Sequence, residues 1–353
     1  MFDELLDTVC LKISTVRSMI KINDRLRKIV SQDSSDIKEL KENPEFAALI
    51  EEIPNKDEWR IYDRCAVVTR LYAIYERFVE DLISDWLRLM PDLVPRYSDL
   101  GKKIKNTHRE GIGRLLIHIK KNRFKHLSVD KVVQGLSCGI TDTGKYELLP
   151  DAFLLHQQNL RKEVLETVFK NAGIDEAWKW VINHKEIKYF VEEVRGSQNT
   201  AEGELKQLVD YRNKAAHGST EQILGTQELL DLGDFVEALC KSLADLVTYN
   251  IILLQSDRGL VREIGKITEW FPEPQAYVAK VQEVILTVKE RVFLVLVNDK
   301  LSYCYAAKVE SIKLNGIFHN HLEITSEEEV GLKFDRDARI GLTIYVTSSD
   351  RVD

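Results

Sequence analysis

The sequence predicts a mainly α N-terminal helical bundle followed by a small all-β C-terminal barrel. Three observations carry that expectation. Through roughly the first 255 residues, apolar side chains recur at three- and four-residue steps, the period of helices with one buried face. Past Gly259 and Leu260 the chain turns rich in Val, Ile, Tyr and Thr, in short alternating runs with polar breaks. And 353 residues with only 7 Pro and 17 Gly are enough for two domains and too few breakers for a disordered chain. The expected division is a helical domain over 1–255, with an insertion around 100–200, and a barrel over 261–353.

Element by element, Phe2–Val30 and Ser35–Glu52 read as a first pair of helices, with Asp33, Ser34 and Ser35 offering cap chemistry between them. The strongest helix is Asp57–Leu89, where Cys65, Val68, Leu71, Tyr72, Tyr75 and Phe78 keep the helical step; Pro91 is expected just past its end. Between 101 and 200 the pattern is choppier. Lys102–Asn122 and Asn159–Asn171 read as helical and Cys138–Tyr146 as a turn. A helix from Thr200 to His217 should stop at Gly218, and another follows from Thr226 to about Gln255. Val284–Val288, Val292–Val297 and Leu342–Val346 are strands of a small barrel or sandwich.

Composition excludes several functions. Lys plus Arg number 50 against 57 Asp plus Glu, a formal charge of −7, so no basic coat of the histone kind exists and any nucleic-acid contact must be a local patch. The N-terminus is acidic where a secretory signal is basic, and no apolar run approaches the roughly 20 residues of a membrane span. Five scattered cysteines without a CxxC pair predict reduced, mostly buried thiols; the expected location is cytoplasmic, with no membrane contact, no cofactor and no metal. Gly144-Lys145 imitates a phosphate loop, but Tyr146 stands where the magnesium-binding hydroxyl belongs. His319 and His321 lack a third ligand and read as exposed loop residues.

The segment Arg212-Asn213-Lys214-Ala215-Ala216-His217 carries chemistry. Asn213 and His217, four apart, share a helix face, and Arg212 reaches the same patch. A guanidinium can hold a phosphate bidentately, and an imidazole can move a proton near neutral pH. One such set lacks its partner acid or base, which a symmetric dimer would supply. The same spacing also describes a surface Arg and a C-capping His with no chemical role.

These residues resemble the Arg-x4-6-His signature of the HEPN superfamily of RNA-cutting domains, and Thr69–Val79 resembles the first core helix of its bacterial stand-alone members, with Glu76 matching their Glu. The resemblance implies a metal-independent endoribonuclease, a homodimer whose motifs meet, with His217 handling protons, Arg212 stabilising the phosphate and Asn213 orienting them. Members of toxin type can carry a modified Tyr two residues after the His; Ser219 stands there, so that regulation is not expected. The C-terminal part resembles the second domain of elongation factor Tu-like translation factors, in Ile264-Gly265-Lys266-Ile267-Thr268, Val309–Gly316 and Val330-Gly331-Leu332-Lys333. Such a barrel implies delivery to tRNA or ribosomes, or equally docking of a protein.

Residues 102–126 hold nine bases, Lys102, Lys103, Lys105, Arg109, Arg114, Lys120, Lys121, Arg123 and Lys125, against the single acid Glu110. They are candidate RNA contacts, although a solvated basic face or an anionic protein partner fits the same run. The combined expectation is a toxin or antiviral ribonuclease acting on tRNA or other translation-associated RNA, with a regulatory protein as a further candidate partner; the competing one is a non-catalytic adaptor or toxin–antitoxin partner whose barrel docks a protein or RNA ligand.

Overall fold

The computed structural model describes residues 2–31, 43–155, 158–217, 224–273 and 275–348. Eleven helices precede nine strands among these residues. Helices α1 (Asp3–Ser31), α3 (Lys56–Leu93) and α11 (Thr226–Asp257) pack on one another, and α10 (Ala201–His217) lies chiefly against α3. α2 (Pro44–Glu52) starts with Pro at its first turn and an Asn43 side chain that accepts from the Glu45 N–H. The caps expected at 33–35 lie outside the described residues.

Helix α3 forms the axis of the bundle. Its stripe from Val67 through Leu71, Tyr75, Phe78 and Leu82 to Trp86 is buried, and the Trp86 indole donates to the Ala172 carbonyl at 2.8 Å. The expected stop before Pro91 is overturned: α3 continues through Pro91 to Leu93. Proline removes one N–H, but Met90, Pro91 and Leu93 are all buried, and the Val94 N–H closes the last turn on the Met90 carbonyl at 2.7 Å. Burial of that last turn outweighs the lost bond.

Between α3 and α10 lie α4 (Lys102–His118), α5 (Val129–Thr141), α6 (Pro150–Phe153), α7 (Lys162–Asn171), α8 (Ala177–Asn183) and α9 (Lys185–Tyr189), the last running into one π-turn at Phe190–Val194. The turn expected from Cys138 is instead the last turn of α5, which ends at the left-handed Asp142. Gly139 is there for contact: a Cβ would sit 2.8 Å from the Tyr97 ring. Lys145, set aside above as a phosphate-loop lysine, pairs with Asp92, while the buried Tyr146 hydroxyl donates to the Val94 carbonyl at 2.6 Å. Of the cysteines only Cys240 and Cys304 are buried; Cys10 is exposed and Cys65 and Cys138 are half-buried, so the expectation of mostly buried thiols fails.

The strands are β1 (Val261–Phe271), β2 (Ala276–Val281), β3 (Val284–Thr287), β4 (Arg291–Val297), β5 (Ser302–Leu314), β6 (Ile317–His319), β7 (His321–Ile324), β8 (Glu328–Phe334) and β9 (Thr343–Thr347). The antiparallel order β4-β9-β1-β2-β8-β5 closes through β5–β4 pairing into a six-stranded barrel; β6 extends β5, and β3 pairs with β7. Closure leaves no edge among the six. Gly265, at φ 153°, sits at a bulge where a Cβ would fall 1.8 Å from the Lys280 carbonyl oxygen. His319 and His321 end and begin strands rather than lying in a loop, and the His321 ring meets the Thr287 hydroxyl at 3.2 Å.

The barrel is packed on the helices. Val261, Phe293, Val295 and Cys304 belong to the helical core, and the buried His184 meets Asp245 at 2.9 Å beside a bridge from His184 to Ser302. Arg258 donates to the Leu93 carbonyl at 3.2 Å, tying the end of α3 to the junction. Among the described residues no helix is long and apolar enough to cross a membrane.

Candidate functional site

Helix α10 is anchored at its start. Thr200 caps it, its hydroxyl accepting from the Gly203 N–H at 3.1 Å. The buried Glu204 receives both arms of Arg195, at 2.8 and 2.9 Å, and Arg195 also reaches Asp231 of α11 at 3.1 Å. Bidentate pairing of this kind fixes geometry as well as charge. Leu205, Leu208 and Val209 then bury one stripe among the core residues. Arg212 is the next residue on that stripe, four after Leu208 and three after Val209.

That position lays the Arg212 guanidinium over the Tyr72 ring of α3, 5.2 Å from its centroid. Arg212 Nη1 also donates to Asn213 Oδ1 at 3.2 Å, and Asn159 Nδ2 donates to the same oxygen at 2.7 Å. Asn159 comes from the loop between α6 and α7. The loop is pinned at its next residue: the Leu160 N–H donates to the Tyr72 hydroxyl at 2.9 Å, and the Leu160 carbonyl accepts from Tyr75 at 3.1 Å. Tyr72 in turn donates to Glu76 Oε1 at 2.9 Å. Burial, with a smaller push from Glu76, drives the Tyr72 hydroxyl far above its ordinary pKa despite the Leu160 N–H and Arg212, so it stays a protonated donor.

The result is one connected group: Glu76, Tyr72, Arg212, Asn213 and Asn159. Arg212 and Asn213 are half-buried, and the Tyr72 ring and Asn213 hold the guanidinium. Asp210, two residues before, is occupied by Arg161 at 3.1 Å and Lys206 at 2.8 Å. An oriented, partly desolvated guanidinium is suited to an anionic phosphate. α10 runs through His217, whose side chain lies outside the described residues, as does Ser219.

Of the expected site residues, the structure therefore brings together Arg212, Asn213 and Glu76, the last through Tyr72 rather than directly. Tyr72 and Asn159 were missed as site residues. Tyr72 stood one turn before Glu76 in the helix already singled out; Asn159 lies 54 positions from its partner and carries no local signal.

The nine bases form a separate surface on α4 and the turn after it. Lys102, Lys103, Arg109, Arg114, Lys120, Lys121, Arg123 and Lys125 are exposed, while the half-buried Lys105 turns back to the Ser98 carbonyl at 2.6 Å. Arg109 donates to Asn106 and Arg123 lies over Phe124. Lys103 and Arg114 line a groove of about 650 Å³ between α4 and α7 that extends to Gln158, the neighbour of Asn159. His108 adds no charge to this surface. It is buried, its Nδ1 meets the Tyr97 hydroxyl at 3.2 Å, and burial lowers its pKa to about 4.

A family model described as RiboL-PSP-HEPN matches residues 22–249, from within α1 into α11, and so takes in the whole connected group. No curated protein and no solved structure matches the chain.

Proposed function

The chain belongs to the RiboL-PSP-HEPN family, and on that premise we propose that it is a metal-independent endoribonuclease working as a homodimer in the cytoplasm. The observation that carries the reading is the half-buried Arg212 guanidinium, laid on Tyr72 and tethered to Asn213. In the proposed reaction the ribose 2′-oxygen attacks the adjacent phosphorus and the bond from phosphorus to the 5′-oxygen breaks. His217, one turn beyond Asn213, takes the 2′-hydroxyl proton, and its partner-subunit counterpart protonates the departing 5′-oxygen. The products are a 2′,3′-cyclic phosphate and a 5′-hydroxyl. Arg212 neutralises the charge gathering on the phosphoryl oxygens, Asn213 keeps Arg212 in register, and the Tyr72–Glu76 pair holds the ring beneath it.

The bases of α4 serve as the RNA backbone track in this reading, leading along the α4–α7 groove toward Asn159, so binding should weaken as salt rises. The elongation factor-like barrel delivers the nuclease to tRNA or other translation-associated RNA, and the biological role is a toxin or an antiviral effector, with a regulatory protein restraining it. The test is cleavage of tRNA and of unstructured RNA in EDTA, with fragment ends mapped. Cyclic phosphate ends that vanish in Arg212→Ala and His217→Ala support the enzyme. RNA binding without cleavage in any form favours an adaptor.

A further inference from the structure

Helices α4 and α7 run antiparallel. Gly173, just past the end of α7, lies against Ile104 near the start of α4, where a Cβ would fall 2.4 Å from the Ile104 side chain. The groove of about 650 Å³ opens between their facing sides. α4 lines it with Lys103, Thr107, Glu110 and Arg114, whose steps of 4, 3 and 4 residues set them in one row about 16 Å long. α7 answers with Val164, Val168 and Asn171 at the same helical spacing, and the buried Phe153 of α6 lines the groove too. Gly111 lets α6 come that close: a Cβ there would fall 2.1 Å from the Ala152 carbonyl oxygen. A space of this size suits a ligand as large as a nucleotide.

The lining says which part of a nucleotide belongs there. Val164, Val168 and Phe153 offer an apolar wall to the flat face of a base. Among the described residues, the side chains of Lys103, Glu110, Arg114 and Asn171 have no hydrogen bond or ion pair within the protein, so their polar atoms are uncommitted. Lys103 and Arg114 stand at the two ends of the row, where each can take a phosphate. Glu110 stands between them, one turn from Arg114. Glu163, the other carboxylate of the lining, sits in the first turn of α7, beside the loop that carries Gln158.

An ionised carboxylate repels phosphate and accepts hydrogen bonds without donating any, so Glu110 favours a base rich in donors. Guanine presents two parallel donors, its N1–H and N2–H, on its Watson–Crick edge, and they match the two carboxylate oxygens. Uracil presents one. Such an edge is free only in an unpaired base. Given the RNA substrate proposed above, we infer that the α4–α7 groove holds one unpaired base of that RNA and that Glu110 selects guanine there. The Arg114 end of the groove is the one nearest the connected group. The end of α4 meets the start of α7, Gln158 lines the groove, and its neighbour Asn159 donates to Asn213. The selected base is therefore close to the scissile phosphate.

The experiment is fluorescence anisotropy of uridine oligonucleotides carrying one central guanosine, inosine, adenosine or uridine, in EDTA. The full chain would carry His217→Ala, so that binding is read without cleavage, and circular dichroism would confirm that each further variant is folded. The guanosine oligonucleotide should bind about tenfold more tightly than the all-uridine one, with inosine, which lacks the N2 donor, between them. Glu110→Gln should abolish that preference and favour adenosine, because an amide both accepts from N6 and donates to N7 of adenine. Lys103→Ala and Arg114→Ala should weaken all four by a similar factor, as loss of a phosphate contact does. Equal binding of the four, binding of none, or a guanosine preference unchanged by Glu110→Gln would overturn the assignment. With His217 restored, cuts should fall beside the guanosine. Guanosine-selective binding without any cut would uphold the groove and overturn the nuclease; cuts without selective binding would do the reverse.

Discussion

Arg212 is the residue whose surroundings argue most strongly for chemistry. It continues an apolar stripe, where an aliphatic side chain would pack at no electrostatic cost, and instead places a guanidinium on Tyr72. Replacing Arg212 by Ala should lower RNA cleavage by about a thousandfold, of the order seen when one preorganised transition-state donor is removed. Arg212→Lys should recover little, because an ammonium can neither lie flat on the ring nor hold a phosphate with two parallel bonds. Asn159→Ala frees one donor from Asn213 Oδ1 and should reduce turnover roughly tenfold while leaving RNA affinity nearly unchanged, a difference that single-turnover kinetics would show.

His108 gives a pH prediction at the same scale. Its folded pKa of about 4 lies below the ordinary 6.5, so protonation favours the unfolded chain. Its stabilising neutral form is fully present above about pH 6.5, and stability falls as pH drops from there toward 4, by about 3 kcal/mol in all. Urea denaturation from pH 7 to 4 should show that slope, and His108→Leu should flatten it. The contact between Arg212 and Asn213 was legible because the two are neighbours in sequence. Tyr72 and Asn159 join it only through tertiary contact, which no local pattern encodes.

At the scale of elements, long regular helices were legible and crowded ones were not. α3 and α11 announce themselves because dozens of residues repeat one period. α5 was hidden by Gly135 and Gly139, whose usual meaning in sequence is a turn. Here they are points of close approach: a Cβ at Gly135 would lie 2.9 Å from the Glu147 carbonyl oxygen. Pro91 misled for a related reason, since burial of its neighbours carries α3 past a residue that ends most helices. In the barrel, Gly265 sits in a conformation and a space that admit no side chain. Gly265→Ala should therefore cost about 3 kcal/mol or more, read from the denaturant midpoint, whereas the same change at the uncrowded Gly113 should cost almost nothing or stabilise its helix.

The whole molecule was foreseen as two domains, and the change of pattern at Gly259 does mark the passage from helix to barrel. What composition could not convey is how far the two share a core. Val261, Phe293, Val295 and Cys304 pack with helical residues, and the His184–Asp245 pair is buried at the junction. The helical bundle and barrel should consequently unfold together. Loss of helical circular dichroism and loss of amide-exchange protection in β5 should share one denaturant midpoint; two separated midpoints would show that the interface contributes little.

The central claim, that the group around Arg212 cuts RNA, meets its most direct test in the fragments themselves. Purified full-length protein would be incubated with tRNA and unstructured RNA in EDTA, beside Arg212→Ala and His217→Ala, and the 3′ ends of the fragments identified. The account predicts 2′,3′-cyclic phosphate ends from the unaltered protein and none from either variant. Cleavage that persists in both variants, or that leaves 3′-hydroxyl ends, would contradict it.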